Sequence, residues 1–207
     1  MAVTRRAETM EQNRARLISA ARKAFAEHGF ASVSMDELTA SIGLTRGALY
    51  HNFGDKKGLL AAVVAQVDGE MAQRAKAAAA TATDDWEKLL AEGVAYIRMA
   101  LDPEVRRIVL LDGPAFLGDP AHWPSQNSCL EATRQTVVRL IEKGVFKAVD
   151  ADAAAYLLNS AALNSALWIA ASAEPQRALP RIIEAFTQLA SGLRENTVQA
   201  LMGDIPE

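Results

Sequence analysis

Residues 153–173 carry no charged side chain over 21 consecutive positions, which is long enough for a helix that crosses a bilayer. The stretch, AAAYLLNSAALNSALWIAASA, also contains five Asn or Ser side chains, and no cluster of Lys or Arg flanks it. Polar side chains at that density are costly when they face lipid, so we interpret the stretch as a buried helix of a soluble protein rather than a transmembrane span. Such a helix must be covered on all sides, by its own chain or by a partner.

The rest of the sequence also favours helices over sheets. Half of the 207 residues are hydrophobic, only 6% are aromatic, and alanine is abundant. The chain lacks strand alternation, internal repeats and a glycine-rich phosphate loop. We therefore predict an all-α protein of nine or ten helices, with a loop-like interruption at residues 112–125 that holds three prolines and two glycines. We expect Pro175 and Pro180 to bend or delay the last helix, over residues 181–202.

The first eighty residues predict a long, a short, a short and a long helix. Ser34 and Glu37 have the spacing of a reciprocal N-terminal cap, and Thr45 can cap the third helix. Glycines are placed to end the first three helices, at Gly29, Gly43 and Gly54. Two short helices that meet at a glycine turn and pack on a longer one form a helix-turn-helix.

Charge is divided unevenly along the chain. Residues 1–58 hold nine Lys or Arg against six Asp or Glu, a net charge of +3, which leaves −6 for the remainder of a chain whose total is −3. A basic end on an acidic body is expected when one part faces phosphate and the other does not, although chance clustering remains an alternative. The single cysteine, Cys129, and an N-terminus without an apolar signal-peptide core predict a cytoplasmic protein.

The third predicted helix, in TRGALYHN, has an unusual solvent face. Its apolar anchors leave a surface formed by Thr45, Arg46, Gly47, Tyr50 and His51. A glycine in a helix costs about 0.5–1 kcal/mol relative to alanine, but it lets the backbone approach DNA, and an arginine can bind a guanine edge or a phosphate. Lys56 at the start of the fourth helix is a candidate phosphate ligand. An ordinary helix corner with a solvated rim is the alternative interpretation.

The stretch SMDELTASIGLTRGALYHNFGDKKGLL resembles the DNA-binding signature of the TetR family of bacterial transcription regulators, and the likeness covers about residues 11–62. The resemblance implies a homodimer that binds a palindromic operator, and a C-terminal domain that binds a small molecule and dimerises through its last two long helices. We accordingly predict a helix-turn-helix DNA-binding domain at residues 1–58 and a helical effector-binding and dimerisation domain at residues 59–207.

The resemblance also implies roles for individual residues. Bases or nearby phosphates would be contacted by Thr45, Arg46, Gly47 and Tyr50, and the DNA backbone by Lys56 and the Ser34 end of the second helix. The family often has His directly before the conserved Phe, whereas this chain has Asn52 there and His51 one place earlier. Either of the two could contact DNA.

The C-terminal region contains weaker signals. Candidate ligand-binding residues are the large side chains Trp86, Tyr96, Met99, Phe116, Trp123 and Trp168, with Arg98, Gln126 and Asn164 as polar orienting groups. Simple core packing is the alternative for each of them. No cofactor or metal is predicted, because the acids and the possible nitrogen and sulfur ligands lack metal-ligand spacing at Asp112, Asp119, His122 and Cys129.

The uncharged stretch fits a dimer interface. We expect one side to pack within its own subunit and the other to meet a two-fold partner in a four-helix bundle, through Ala154, Leu158, Ala161 and Ser165 with Ile182, Phe186, Leu189 and Leu193. The sequence therefore predicts a ligand-responsive repressor with operator DNA, a second copy and an unknown small molecule as partners, and no membrane. The alternatives are an activator or a protein-controlled regulator of the same fold, or a helical enzyme that closes residues 112–125 over a cavity.

Overall fold

The computed structural model describes residues 2–195, with side chains from residue 8 onward. Within this range the chain consists of helices joined by turns and short loops, with one antiparallel bridge between Phe146 and Arg194. The all-α prediction is confirmed. No helix in residues 2–195 has the length and apolar character needed to cross a membrane.

The described part of the chain contains ten α-helices. Their bounds are α1 Ala2–His28, α2 Met35–Ser41, α3 Arg46–Phe53, α4 Lys56–Ala78, α5 Asp85–Arg98, α6 Pro103–Val105, α7 Gly113–Leu117, α8 Pro124–Glu142, α9 Ala151–Ala171 and α10 Pro175–Ser191. Two 3-10 turns occupy Met99–Leu101 and Pro120–His122, and a π-helical segment occupies Arg106–Asp112.

The predicted starts of α2 and α3 and the predicted ends of α1, α2 and α3 are confirmed. Ser34 Oγ accepts from Glu37 N at 3.4 Å, and Thr45 Oγ1 accepts from Ala48 N at 3.3 Å. These side chains satisfy amide groups that a helix start leaves without partners. The glycines that end α1 to α3 all have positive φ, at Gly29, Gly43 and Gly54.

The segment at residues 112–125 differs from its predicted loop-like form. The chain runs from the π-helical segment directly into α7, forms a 3-10 turn and enters α8. Each proline stands in a first helical turn, where its missing N–H would have no partner in the helix: Pro114, Pro120 and Pro124. Proline spacing therefore marked helix starts here, and interpreting it as a loop was wrong.

The last helix also differs from its prediction. Pro175 begins α10 rather than delaying it, and Pro180 lies inside the helix. The helix ends at Ser191, short of the predicted end, and residues 196–202 of the predicted helix lie outside the described residues.

Two apolar clusters hold the molecule together. The larger one joins the four N-terminal helices, α1, α2, α3 and α4, with α5, residues 99–110 and α9. It includes the fully buried Leu17, Leu49 and Leu60. The smaller one lies between α8, the start of α9 and the end of α10, around Phe146. In the two short helices, Leu38 and Leu49 are buried, whereas the small residue Ala40 is exposed and Thr39 is buried beside it.

Helix α9 is buried on one side only. It packs on α5, α8 and α10, and this burial within one chain includes Ala154, Leu158 and, on α10, Phe186. Those three residues were expected to meet a partner, and that expectation was wrong because the same chain already covers them. The uncovered face of α9 instead presents Leu157 and Trp168, which are 63% and 54% exposed.

Candidate nucleic-acid interface and ligand cavity

The outer face of α3 is polar and accessible. Arg46 donates to Tyr50 Oη at 3.0 Å, and its guanidinium also lies 3.3 Å from Asp36 Oδ2 on α2. The hydrogen bond to Tyr50 and the charge of Asp36 raise the pKa of Arg46. The side chains of Arg46 and Asp36 are 56% and 70% exposed, so this pair can exchange partners at little cost. The guanidinium of Arg46, hydrogen-bonded to the Tyr50 hydroxyl, is therefore accessible to solvent at the start of α3.

Gly47 lies beside Arg46 with open space around it. A Cβ built there would have only Thr45 Oγ1 within 4 Å, at 3.7 Å, among the atoms of other residues. The residue is exposed, and its φ is not positive. Neither packing nor backbone conformation within this chain therefore requires a glycine at the position.

His51 and Asn52 are placed differently. The Asn52 amide donates to Ala48 O at 2.7 Å, so its polar group is engaged within α3. His51, the residue before it in α3, is exposed. The geometry favours His51 as the group that is free to reach an external ligand.

Lys56 is less free than the sequence suggests. Its Nζ donates to Ala31 O at 3.3 Å and lies 4.6 Å from the centroid of the Phe30 ring. Burial lowers the pKa of this amine. Lys56 therefore joins the start of α4 to the turn between α1 and α2, while its neighbour Lys57 is exposed. Ser34, the other residue predicted to contact the DNA backbone, is half-buried at the start of α2.

An arginine connects the N-terminal helices to the rest of the chain. Arg22 on α1 donates to both carboxylate oxygens of Glu70 on α4, at 2.6 and 2.8 Å. It also donates to both oxygens of Glu104 on α6, at 2.8 and 2.7 Å. These bonds raise the pKa of Arg22, and they lower the pKa of Glu70. Two bidentate pairs on one planar guanidinium fix the relative orientation of three helices.

A cavity of about 330 Å³ lies in the C-terminal part, between α4, α5, α8, α9 and α10. Its wall is mostly apolar, with Leu89, Leu90, Leu158, Ala162, Leu163 and Phe186. Polar groups enter it from α4, α5 and α8, including Asp68, Lys76, Glu92, Tyr96 and Gln126. A concave apolar site with a few polar groups is the usual form of a small-molecule site.

Two of the nine predicted ligand-binding residues, Tyr96 and Gln126, line this cavity. The other seven do not, and the structure corrects their placement. Three are exposed, at Arg98, Asn164 and Trp168, and Met99 is buried in the larger apolar cluster.

The remaining three predicted residues are aromatic and pack against other parts of the chain. Trp86 packs edge-on against Phe146 with 5.8 Å between ring centroids, and Phe116 lies 4.5 Å from Phe30. Trp123 packs closely against Gly113, where an added Cβ would come within 2.6 Å of the indole. These three side chains therefore pack against other side chains of the chain, which is the alternative to ligand binding given by the sequence.

The sequence interpretation missed Asp68. This carboxylate interrupts the apolar stripe of α4 that carries Val64 and Met71, and a charge on such a stripe is a signal that could have been read. Asp68 is 3% exposed, and its Oδ2 has no hydrogen-bond partner among the described residues. Burial raises its pKa, while the nearby Ser125 and Gln126 side chains oppose that shift.

Tyr96 is the second unsatisfied polar group at the cavity wall. Its Oη is buried and has no partner at hydrogen-bond distance within the described residues. Burial and the charge of Asp68 both raise the pKa of Tyr96. Among residues 8–195, no cluster of three or more His, Cys, Asp or Glu side chains is placed to hold a metal ion.

An all-α chain with a capped helix-turn-helix at one end and a ligand-sized cavity at the other has the architecture of a DNA-binding regulator. The family model described as "Bacterial regulatory proteins, tetR family" matches residues 17–63, and "Tetracyclin repressor-like, C-terminal domain" matches residues 86–193. The chain belongs to the TetR family of transcription regulators. The family and the relatives are transcription regulators rather than enzymes, which favours the predicted regulator over the alternative of a helical enzyme.

Individual relatives agree with this assignment. A crystal structure of a TetR-family transcriptional regulator from Pectobacterium atrosepticum is 46% identical, with a TM-score of 0.82 over 91% of this chain and 97% of that one. The transcriptional repressor AcnR of Corynebacterium glutamicum is 29% identical over 64% of this chain and 68% of its own length. The regulator UidR of Escherichia coli K12 is 39% identical over 27% of this chain and 29% of its own.

Proposed function

We propose that this chain is a repressor that binds a palindromic operator as a homodimer and leaves it when a small molecule occupies the cavity. The observation that carries the proposal is the course of helix α4. It starts at the helix-turn-helix with Lys56, lines the cavity with Asp68 and holds Arg22 of α1 through Glu70. A ligand that moves α4 therefore acts on a helix that is also bonded to the DNA-binding end.

The DNA interface in this proposal is the exposed face of α3. Arg46 reaches a guanine edge or a phosphate after leaving Asp36, Tyr50 and Thr45 flank it, and Gly47 allows close approach of the backbone. We assign the additional contact to His51. The assignment follows from the hydrogen bond that holds the neighbouring amide within α3.

Contacts with the DNA backbone complete the proposed interface. Ser34 and Lys56 lie at the starts of α2 and α4, where helix N-termini favour phosphate, and Asn52 supports α3 from within. The DNA-binding domain then comprises residues 1–58 and the effector and dimerisation domain residues 59–207, so that the boundary falls in the first turn of α4.

The dimer forms through the uncovered faces of α9 and α10. Leu157 and Trp168 on α9 and Leu189 on α10 are 63%, 54% and 57% exposed, although all three are large and apolar. Pairing this surface with its two-fold copy gives a four-helix bundle that covers it. A dimer also holds two recognition helices about 34 Å apart, the spacing of successive major grooves.

Release requires that the ligand favours a dimer with a different spacing of its α3 helices. The coupling between cavity and operator would be about 1–3 kcal/mol, which is typical of allosteric regulators. Operator binding and release place the protein in the cytoplasm.

Selection from random duplex DNA tests this function. The full chain should enrich a palindrome whose half-sites lie one helical turn apart or a multiple of it, and a metabolite library should contain a compound that releases it. The Arg46→Ala variant should enrich weakly and lose preference at one base pair of each half-site. Enrichment of no sequence by the native chain, or of the same sequence with equal strength by Arg46→Ala, would contradict the proposal.

A further inference from the structure

We propose that the cavity binds a small organic amine, whose ammonium group lies between Asp68 and Tyr96 and whose apolar body lies against Leu90, Leu163 and Phe186. The inference rests on the proposed function only in treating this cavity as the effector site. It specifies the chemistry of the ligand from the groups that the cavity leaves without partners.

The first step is the need for a hydrogen-bond donor. Asp68 Oδ2 is a buried acceptor that receives no hydrogen bond of regular geometry from the described residues, although Ser125 and Gln126 lie near it, and Tyr96 Oη, near Gln126, is unpaired in the same sense. Buried polar groups are nearly always paired, and leaving one unpaired destabilises a protein. An ammonium group has three donors, so it can bond to both oxygens, whereas an alcohol has one donor and a carboxylate has none.

The second step is the sign of the charge. Asp68 and Glu92 line the cavity with Lys76 as the opposing cation. Burial is the main cause that raises the pKa values of Tyr96 and of Cys129, and the charge of Asp68 adds to both shifts, so an ionised Asp68 places both groups in a negative field. That field attracts a cation and repels an anionic ligand, and a bound ammonium would stabilise the ionised carboxylate of Asp68.

The third step is size and shape. A cavity of about 330 Å³ is at the small end of ligand sites. Its apolar wall is contributed by α5, α9 and α10, while Asp68 enters from α4. An amine with one aromatic ring or a short alkyl chain matches a site that has a buried carboxylate on α4 and apolar side chains on α5, α9 and α10.

Matched probes test the proposal on the full chain. Phenethylamine and hexylamine are compared with the alcohol and the carboxylate of the same carbon skeleton, by calorimetry and by thermal shift. We expect each amine to bind about tenfold or more tightly than its alcohol, as a charged hydrogen bond predicts, and the carboxylates to bind most weakly. Equal or tighter binding of the alcohols or carboxylates, or binding of no probe at all, would overturn the proposal.

Variants identify the group that selects the amine. Asp68→Asn keeps the shape but removes the negative charge, so it should abolish the preference for amine over alcohol. Glu131→Gln makes the same kind of change on α8, outside the cavity lining, and should keep that preference. Retention of the full preference in Asp68→Asn would assign selectivity elsewhere and overturn the proposal. Should Asp68→Asn fail to fold, Tyr96→Phe should weaken the amines more than the alcohols, and an equal effect on both would count against it.

Operator release is measured separately, so that this inference and the proposed function can fail independently. Amine binding that depends on Asp68 without operator release would support the ligand class and contradict the assignment of the cavity as effector site. Release by the alcohols or carboxylates, bound as tightly as the amines, would support effector control and overturn the ligand class.

Discussion

The helix-turn-helix surface around α3 and the cavity wall each contain a carboxylate and a tyrosine, yet the two sets differ in exposure and in hydrogen bonding. On α3, Arg46 is bonded to Tyr50 and paired with Asp36, and the set is exposed to water. At the cavity, Asp68 Oδ2 and Tyr96 Oη are buried atoms without a hydrogen-bond partner among the described residues. An exposed, satisfied set can exchange its partners at little cost, whereas a buried, unsatisfied set gains from any ligand that completes it.

The comparison indicates how each region gains specificity. The α3 surface is suited to a large polyanion that replaces its existing weak contacts, because the side chains are accessible and mutually held. The cavity is suited to one small molecule with donors at a fixed place. Helix α4 connects the two regions, because Asp68 and Glu70 are two residues apart and Glu70 is bonded to Arg22 of α1.

The largest expected effect comes from disrupting the dimer, which should abolish operator binding by α3 but leave ligand binding in the cavity intact. Leu157→Glu would bring two carboxylates together in the proposed interface, at a cost of several kcal/mol if they stay ionised. We expect a monomer in sedimentation that does not bind operator but still binds cavity ligand, because α3 acts in pairs and the cavity lies within one chain. Val149→Glu, at another exposed apolar residue, is the control and should remain dimeric. A normal Leu157→Glu dimer would place the interface elsewhere.

The next effect tests the α3 surface alone. Gly47→Leu adds a good helix former in open space, so the thermal stability of the free protein should be equal or higher. The new side chain would hold α3 away from the groove, and operator affinity should fall at least tenfold, about 1.4 kcal/mol. Ligand binding should not change.

Gly47→Ala is the smaller step at the same position. It should stabilise the fold by about 0.5–1 kcal/mol and reduce operator affinity less than leucine does. Normal operator binding by the leucine variant would show that the backbone at Gly47 does not approach DNA. A destabilised leucine variant would instead mean that the fold itself needs the glycine.

The third prediction concerns the connection between the regions. Arg22→Met leaves Glu70 and Glu104 near each other without their cation and should destabilise the chain by about 1–2 kcal/mol, discounted because the groups are partly exposed. Denaturant unfolding measures this effect. Arg134→Met removes an exposed pair with Glu131 and should cost almost nothing.

The same arginine predicts a dependence on pH. The hydrogen bonds from Arg22 lower the pKa of Glu70 below its ordinary 4.5, so the stability they contribute is present above that pH. It should be lost as the pH falls through the lowered pKa, and Arg22→Met should lack this part of the acid dependence. If the free energy of unfolding falls with decreasing pH equally in the native chain and in Arg22→Met, this linkage is ruled out.

The smallest expected effect concerns salt. If Lys56 neutralises one phosphate in each subunit, Lys56→Ala should reduce the log–log salt slope of operator binding by nearly 2, since each contact contributes about 0.9. The preferred sequence should not change. Lys57 is the exposed neighbour of Lys56, and the Lys57→Ala variant shows whether the phosphate contact belongs to Lys57 instead. An unchanged slope in Lys56→Ala would mean that Lys56 contacts only Ala31 and Phe30 and no phosphate.

Local chemistry made the N-terminal helices predictable. A cap such as Thr45, a glycine with positive φ such as Gly54 and the apolar spacing of Leu38 and Leu49 act over a few residues, so the sequence alone determines the short helices and their exposed face. The all-α class and the family signature follow from the same local information.

Tertiary packing decided the C-terminal site. Trp86 and Asp68 each have a neighbourhood built from helices far apart in sequence, and no local pattern specifies which of two helix faces will meet them. The structure therefore placed Trp168 on the surface and Tyr96 at the cavity, although both looked like ligand-binding residues. Helical periodicity determines that a face exists, but only the packing of α4, α5, α8, α9 and α10 determines whether it meets core, cavity or solvent.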